Sequence, residues 1–314
     1  MVYQLGIFTS LFDDEAPRLL KTIDDAIDSG VVEAEVPFVF CNKKEGVNSG
    51  VDARIAQVRK LKHLKRLIFV PPEEVDAEAY ARARSEWGEL GEDSALMRGW
   101  RERYDTEIAG GLPATDSDLN IGYMLWMTPV LHDRRTIVNL HPALPGMGPI
   151  GMWPKVMREQ ALRPLSYLAG LDEERVKAYL PHVMRISRNK AGAMLHMVTK
   201  EPDRGPVISW YEFDLVSLEL QNSWLEVAKE AKGKGLEGVV DTECFNKLTR
   251  AIRVEQVQGE HPLLLLTYHR LTREDWKLKE RSLHISGTKM EGGYCLNKEI
   301  GECLRAEGIR SEIA

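Results

Sequence analysis

A chain of 314 residues with 43% hydrophobic and 29% charged side chains is ordinary globular protein, long enough to bury a sizeable core in one or two domains. Its formal net charge of −6 argues against nucleic acid or an anionic membrane as the bulk partner. No apolar run approaches the roughly 20 residues that span a bilayer. The opening MVYQLGIFTS lacks the basic region and long apolar core of a secretory signal, so the cytoplasm is the expected compartment. The four cysteines, Cys41, Cys244, Cys295 and Cys303, form no C-x-x-C pair and read as reduced thiols.

In chain order, residues 3–10 form a short apolar run ending in small polar residues. A helix follows, with Leu19, Leu20, Ile23 and Ile27 at helical spacing and Gly30 closing it. Residues 34–41 read as a second strand, VDARIAQVRKLKHL as a helix and RLIFV as a third strand. Strand and helix in alternation predict a parallel sheet with helices on its faces. Residues 72–110 are charged, Ala-rich and helical in spacing. DLNIGYMLWM and TIVNL are the next strands. Residues 152–188 read as helical, broken near Pro164 and Gly170. AMLHMVT and VISWYEF are two strands joined by KEPDRGP, whose Pro and Gly favour a tight loop. Residues 243–270 contain a helix ending at His261–Pro262, followed by LLLLTYHRL. The last 44 residues carry eight Lys/Arg and eight Asp/Glu and net to zero charge.

The chemistry gathers in two segments. In TIVNLHPALPG a strand ends at Asn139, with His141 two residues on. Side chains two apart on a strand point the same way, and ligands of open parallel sheets sit at the strands' carboxyl ends. In AMLHMVTKEPDRGPVISW, His196 lies in a strand and Asp203 in the following loop. Taken singly, Asn139 and His141 read as loop-satisfying groups and Asp203 as a turn residue. Together they suffice for transfer of a formyl group to an amine. An amide and a protonated imidazole can meet the developing oxyanion, and a carboxylate can raise the imidazole pKa and take up the amine's proton. No metal is required by this set.

The same residues carry a family resemblance. NLHPALPG at 139–146 resembles the N-[LIV]-H-P-[SA]-L motif of the folate-dependent formyltransferases. GAMLHMVTKEPDRGPVI at 192–208 resembles that family's G-x-x-x-H-x-V-[TD]-x-x-x-D-x-G-P-[IV]-I segment. WRERYDTEI at 100–108, GYMLWMTP at 122–129 and VFCNKKEG at 39–46 resemble further motifs in the same order. The resemblance spans about residues 3–215 and implies an α/β, Rossmann-like formyltransferase fold, a mostly parallel sheet with helices on both faces. It implies Asn139, His141 and Asp203 as catalytic residues and His196 as their support. Arg101, Met124, Leu125, Trp126, Met127, Thr199, Lys200, Glu201 and Pro202 fall on folate-contacting positions, the loop 199–202 holding the pterin ring largely through backbone. The implied co-substrate is 10-formyltetrahydrofolate. The implied partner is a small-molecule amine, phosphoribosylglycinamide of purine biosynthesis being one such acceptor. Neither nucleic acid nor membrane is expected, and a homodimer is an admissible assembly.

Two departures bear on the acceptor. The family's first loop is Gly-rich and cradles a phosphate, whereas SLFDDEAPR stands here, with Ser10 and Arg18 as the acceptor-binding candidates. Asp13, Asp14 and Glu15 would repel phosphate unless they serve to cap the following helix. The second departure is an insertion at about residues 160–190. The expected organisation is therefore a catalytic domain at 1–270 and an extension at 271–314. GMGPIG at 146–151 matches G-x-G-x-x-G, but Pro149 removes a donor and the ribose-binding acid is missing. His63, His132, His182 and His284 lie among polar residues and read as surface. The rival readings are a non-catalytic folate- or nucleotide-binding regulator on this fold, and a transfer-RNA formyltransferase, against which the uncharged tail argues.

Overall fold

The structure is a computed structural model that describes residues 2–90, 94–112, 117–123, 125, 129–147, 151, 153–186, 190–199, 201, 203–215, 217–273 and 276–307. The chain divides into two compact units. The first comprises Met1–Leu140, His196–Pro206 and Leu265–Met290, and the second His141–Leu195, Val207–Leu264 and Glu291–Ala314.

The first unit begins as strand and helix in alternation: β1 (Tyr3–Thr9), α1 (Glu15–Asp28), β2 (Ala34–Cys41), α2 (Ser49–Val58) and β3 (Leu67–Phe69). Two helices follow, α3 (Pro72–Leu90) and α4 (Ala95–Gly111), then β4 (Leu119–Tyr123), α5 (Pro129–Arg134) and β5 (Ile137–His141). The hydrogen-bonded strand order is β3-β2-β1-β4-β5, and every neighbouring pair in it is parallel. The strands are short apolar runs, as buried parallel strands are. Helix α1 turns Leu19, Leu20, Ile23 and Ala26 inward. The Asn48 side chain caps α2 by accepting from Gly50 N and Val51 N, and Ser94 caps α4 through Met97 N. Behind the strands, Phe8, Phe38, Phe40, Met97, Trp100, Tyr104 and Ile137 form one apolar cluster. Phe8 meets Phe38 edge-on at 5.5 Å.

The second unit holds α6 (Trp153–Leu168), α7 (Glu173–Ile186), most of β6 (Lys190–Met197), β7 (Val207–Asp214) and α8 (Leu218–Val239). It also contains the first part of α9 (Glu243–Thr272), and β11 (Tyr294–Cys295) with α10 (Asn297–Ala306). Its strand order is β6-β7-β11, with β7 and β11 parallel. Helices α6, α7 and α8 pack on one another, so the region read as an insertion is a helical layer. The tail after residue 270 contributes regular elements among its described residues. Strands β8 (Trp276–Lys279), β9 (Ser282–Ile285) and β10 (Thr288–Lys289) make a small antiparallel sheet in the first unit. In the second unit, Asn297 of α10 accepts from the backbone of Glu212 at 2.8 Å.

Two helix boundaries differ from the sequence expectation. Pro164 does not break its helix, because α6 runs through it to Leu168 and the break falls at Gly170, whose φ is 91°. Pro262 likewise lies inside α9 rather than after its end. An interior proline removes one helical hydrogen bond and costs about 3 kcal/mol or more. Burial of Leu165 and Leu168 beyond Pro164, and of Leu263 and Leu264 beyond Pro262, outweighs that cost. Helix α2 also stops sooner than its pattern implied, at Val58. Of the histidines read as surface, His182 is exposed; His63 and His284 are half-buried, His63 lying 3.5 Å from Asp28. The His132 side chain lies outside the described residues, as does part of 146–151. All four cysteines are free, and burial pushes the Cys41 thiol up to about 11. Among the described residues, no helix is long and apolar enough to cross a membrane.

Gly6 shows how tightly β1 is set. A Cβ there would lie 2.2 Å from Asn120 Oδ1 and 2.6 Å from Phe38 Cζ. Asn120 cannot yield, since its Nδ2 donates to Thr136 O and its Oδ1 accepts from Ser117 Oγ. Gly6→Ala is therefore expected to destabilise the chain by about 1–3 kcal/mol, the usual scale of core overpacking. Urea unfolding measures this, and a loss under about 0.5 kcal/mol would show that Asn120 moves freely.

Candidate active site

Parallel register brings the strand ends to one edge. Thr9 stands opposite both Cys41 and Tyr123, and Gly122 stands opposite Asn139. The chain leaving β1 and Asn139 on β5 therefore share the carboxyl edge, where open parallel sheets bind ligands. His196, the second-last residue of β6, comes beside Asn139, and just past the strand Val198 N donates to Ile137 O at 2.9 Å. The chain then turns back within a short loop, Met197 N donating to Pro206 O at 2.9 Å. Gly205 permits that turn, because a Cβ there would sit 1.7 Å from Met197 O. Asp203 takes up a left-handed backbone, with φ of 53°, a conformation Asp tolerates better than most residues.

Within the first unit these segments bring three polar side chains together. Asn139 Nδ2 lies 3.2 Å from Asp203 Oδ1 and 3.3 Å from His196 Nε2. His196 Nδ1 is 3.0 Å from Met197 O. A carbonyl only accepts, so Nδ1 carries the imidazole proton and Nε2 is left to accept from Asn139. The Asn139 amide thus spans a carboxylate and an imidazole, giving one N–H to each. The reversed amide would set its oxygen against the Asp203 carboxylate, so the network fixes the orientation. His196 Nε2 and Asp203 Oδ1 stand 3.5 Å apart. The carboxylate that the sequence assigned to His141 is thus seen against Asn139 and His196. His141 itself ends β5 and is 3% exposed, a buried polar side chain at the first position of the second unit.

The remaining site candidates divide. Arg101 lies on α4, half-buried, its charge felt by the Tyr80 phenol. Leu125 packs on the Phe8–Trp100 cluster. Thr199 Oγ1 donates to Glu201 O at 3.2 Å, and Arg204 N donates to the same oxygen. Met124, Trp126, Met127, Lys200 and Pro202 lie outside the described residues. Close by on α4, Tyr104 donates to Val70 O, and burial holds its phenol far above the usual range.

The first loop is tied up by its own charges. Asp14 occupies the N-cap position of α1 but caps nothing with its side chain. It accepts instead from Arg54 Nε at 3.0 Å, and Arg54 Nη1 donates to Leu11 O at 3.1 Å. Asp13 accepts from Glu15 N at 3.1 Å, and Glu15 pairs with Arg18 at 2.6 Å. Ser10, directly after β1, is buried. Sequence reading missed Arg54. It lies 43 residues from Leu11 in the chain, and no local pattern marks it.

The parallel ladders of the first unit define an α/β fold of the kind seen in solved formyltransferases. Among solved structures, glycinamide ribonucleotide transformylase 1 from Symbiobacterium toebii matches with a TM-score of 0.52 and 16% identity, over 90% of this chain and 94% of that one. A phosphoribosylglycinamide formyltransferase from Coxiella burnetii matches with a TM-score of 0.55 and 14% identity, over 94% and 99%. At such identities the likeness is one of fold. No protein-family model matches the chain, and no curated protein does.

The 3.2 Å contact between Asn139 and Asp203 has a testable electrostatic consequence. Asn139→Asp would set two carboxylates side by side and raise one of their pKa values. A carboxyl whose folded pKa lies above its unfolded value stabilises the protein only below the unfolded value, about 4. The variant should then match the native chain near pH 4 and fall behind as pH rises, by about 1.4 kcal/mol per unit of the shift. Urea unfolding at pH 4 and pH 8 checks this, and a deficit equal at both values would sink it.

Proposed function

We propose that the chain transfers a formyl group from a reduced folate, 10-formyltetrahydrofolate, to a small-molecule amine in the cytoplasm. The observation that carries this reading is the meeting of Asn139, His196 and Asp203, from segments 57 and 64 residues apart in the chain, on the parallel strand β5. Support comes also from the shared fold and from motifs in matching order. The donor supplies an activated formyl carbon. Asn139 gives its amide N–H, now on His196 Nε2, to the oxyanion that develops as the amine attacks. His141 is the second donor and protonates the departing folate nitrogen. Asp203 favours the charged imidazole and accepts the proton released by the amine, directly or through water. His196 holds the Asn139 amide in place. These roles leave no step that needs a metal.

The test is turnover of 10-formyltetrahydrofolate with a panel of amines. Native protein should release unformylated folate, with or without a chelator. His141→Ala and Asp203→Asn should each slow turnover by about 100-fold or more while folate binding changes far less. Folate binding without turnover by native protein would favour the non-catalytic regulator. Near-native rates in either variant would remove that residue from the mechanism.

The first loop bears on the acceptor, and phosphoribosylglycinamide of purine biosynthesis is proposed as a poor one. Asp13 and Asp14 stand where the related enzymes place phosphate-binding glycines. Like charges about 5 Å apart at an effective dielectric near 20 repel by roughly 3 kcal/mol, and Arg54 offsets part of this. Asp14→Asn leaves Arg54 without its carboxylate and should raise kcat/KM for phosphorylated amines by about 10-fold. Unphosphorylated amines should be unaffected. A native value already near 10⁴ M⁻¹s⁻¹, roughly the ordinary enzyme range, with no gain in the variant would assign the purine-pathway acceptor instead.

A further inference from the structure

Helix α9 carries an anomaly in its buried stripe. Phe245, Leu248 and Ile252 recur at helical spacing, and the next two positions of that stripe are Gln256 and Glu260, 0% and 1% exposed. A buried amide and a buried carboxylate cost several kcal/mol, on the order of magnitude, unless every polar atom is met. Within the second unit they are met in an unusual way. Gln256 Nε2 donates to Pro142 O at 2.9 Å and also to Gly192 O. Gln256 Oε1 accepts from Arg253 Nη1 at 2.9 Å. The same nitrogen pairs with Glu260, and the guanidinium lies 5.7 Å over the Trp153 ring. The main-chain oxygen of Gln256 accepts from Tyr211 Oη, and burial holds that phenol well above its usual range, so it remains a donor.

The amide has one workable orientation. Its nitrogen faces two carbonyls and its oxygen faces a guanidinium; reversing it would set like against like at all three contacts. The held carbonyl belongs to the residue after His141. Pro142 has its φ fixed by its ring, and its ψ is set by the bond from Gln256. His141 precedes a proline and is confined to extended backbone. The main chain on the carboxyl side of His141 is thereby left without a soft dihedral.

We propose that Gln256 is a positioning residue for the His141 imidazole, clamping Pro142 to β6 at Gly192, with the Arg253–Glu260 pair locking its amide. The proposal rests on the formyl-transfer reading for the catalytic role of His141. Buried ion pairs contribute little net stability and can often be replaced by apolar groups. Here the pair's contribution is directional. It holds the amide that holds the loop. A misplacement of about 1 Å in a catalytic group can cost on the order of 100-fold in rate.

Two variants test it. Gln256→Glu keeps the shape and the Arg253 contact but removes both donors. Arg253→Met combined with Glu260→Leu keeps the core apolar and leaves the Gln256 amide unlocked. Rates are taken per folate-binding-competent molecule, and the imidazole C–H resonances are followed by NMR with exposed His182 as reference. Gln256→Glu should lower kcat about 10- to 100-fold with KM for folate within about twofold. It should also shift or broaden the His141 resonance and leave His182 unmoved. The double variant should show the same pattern, more weakly. Native kcat and a native His141 resonance in a folded variant would overturn the proposal, whatever the melting temperature did. Should Gln256→Glu not fold, the double variant decides. Should native protein transfer no formyl group to any amine, the formyl-transfer reading fails, and the His141 resonance alone decides whether Gln256 positions it.

Discussion

Parallel hydrogen bonding along β1 is the constraint on which the first unit's chemistry depends. Pairing Thr9 with Cys41 on one side and Tyr123 on the other fixes where two neighbouring strands end. The pairing of Gly122 with Asn139 carries the same level to β5. A one-residue slip of β5 would turn the Asn139 side chain to the opposite face of the strand. Gly6, hemmed in by Asn120 and Phe38, is one of the points that prevents it. The placing of Asn139 begins as strand register.

The Asn139 amide converts that register into chemistry. It is held by a carboxylate on one N–H, from the turn between β6 and β7, and by an imidazole on the other, from β6 itself. The two acceptors compete for one small donor group, and each bond is longer than a strong charge-assisted one. A fresh negative charge on a reacting oxygen is a better acceptor than a neutral imidazole. On the proposed formyl-transfer reading, the arrangement stores a donor on a weak partner and keeps it oriented.

Much of this was legible in the sequence, for physical reasons that can be named. Strands β1, β2, β4 and β5 stood out because buried parallel strands are uninterrupted apolar runs. Two motifs singled out Asn139, His141 and Asp203 with His196 in support, and the structure brings Asn139, His196 and Asp203 together. The prolines misled. Pro164 and Pro262 act on their own turn of helix, whereas burial of the leucines beyond them acts on the whole element. Arg54 and Gln256 were invisible because their partners lie 43 and 114 residues away. The one local hint was a Gln and a Glu four apart on an otherwise apolar helical stripe. In the tail, zero net charge argued against a transfer-RNA substrate but carried no sign of the small sheet β8–β10.

The left-handed backbone at Asp203 has a consequence for how this fold diverges. Few residue types occupy that conformation without strain, and Asp, Asn and Gly are foremost among them. The acid at this position can thus be exchanged for its amide in one evolutionary step with the turn intact. Exchange for Glu, Ala or a branched residue meets a backbone penalty as well. Under the proposed mechanism, exchange for the amide would remove the proton acceptor and leave the fold in place.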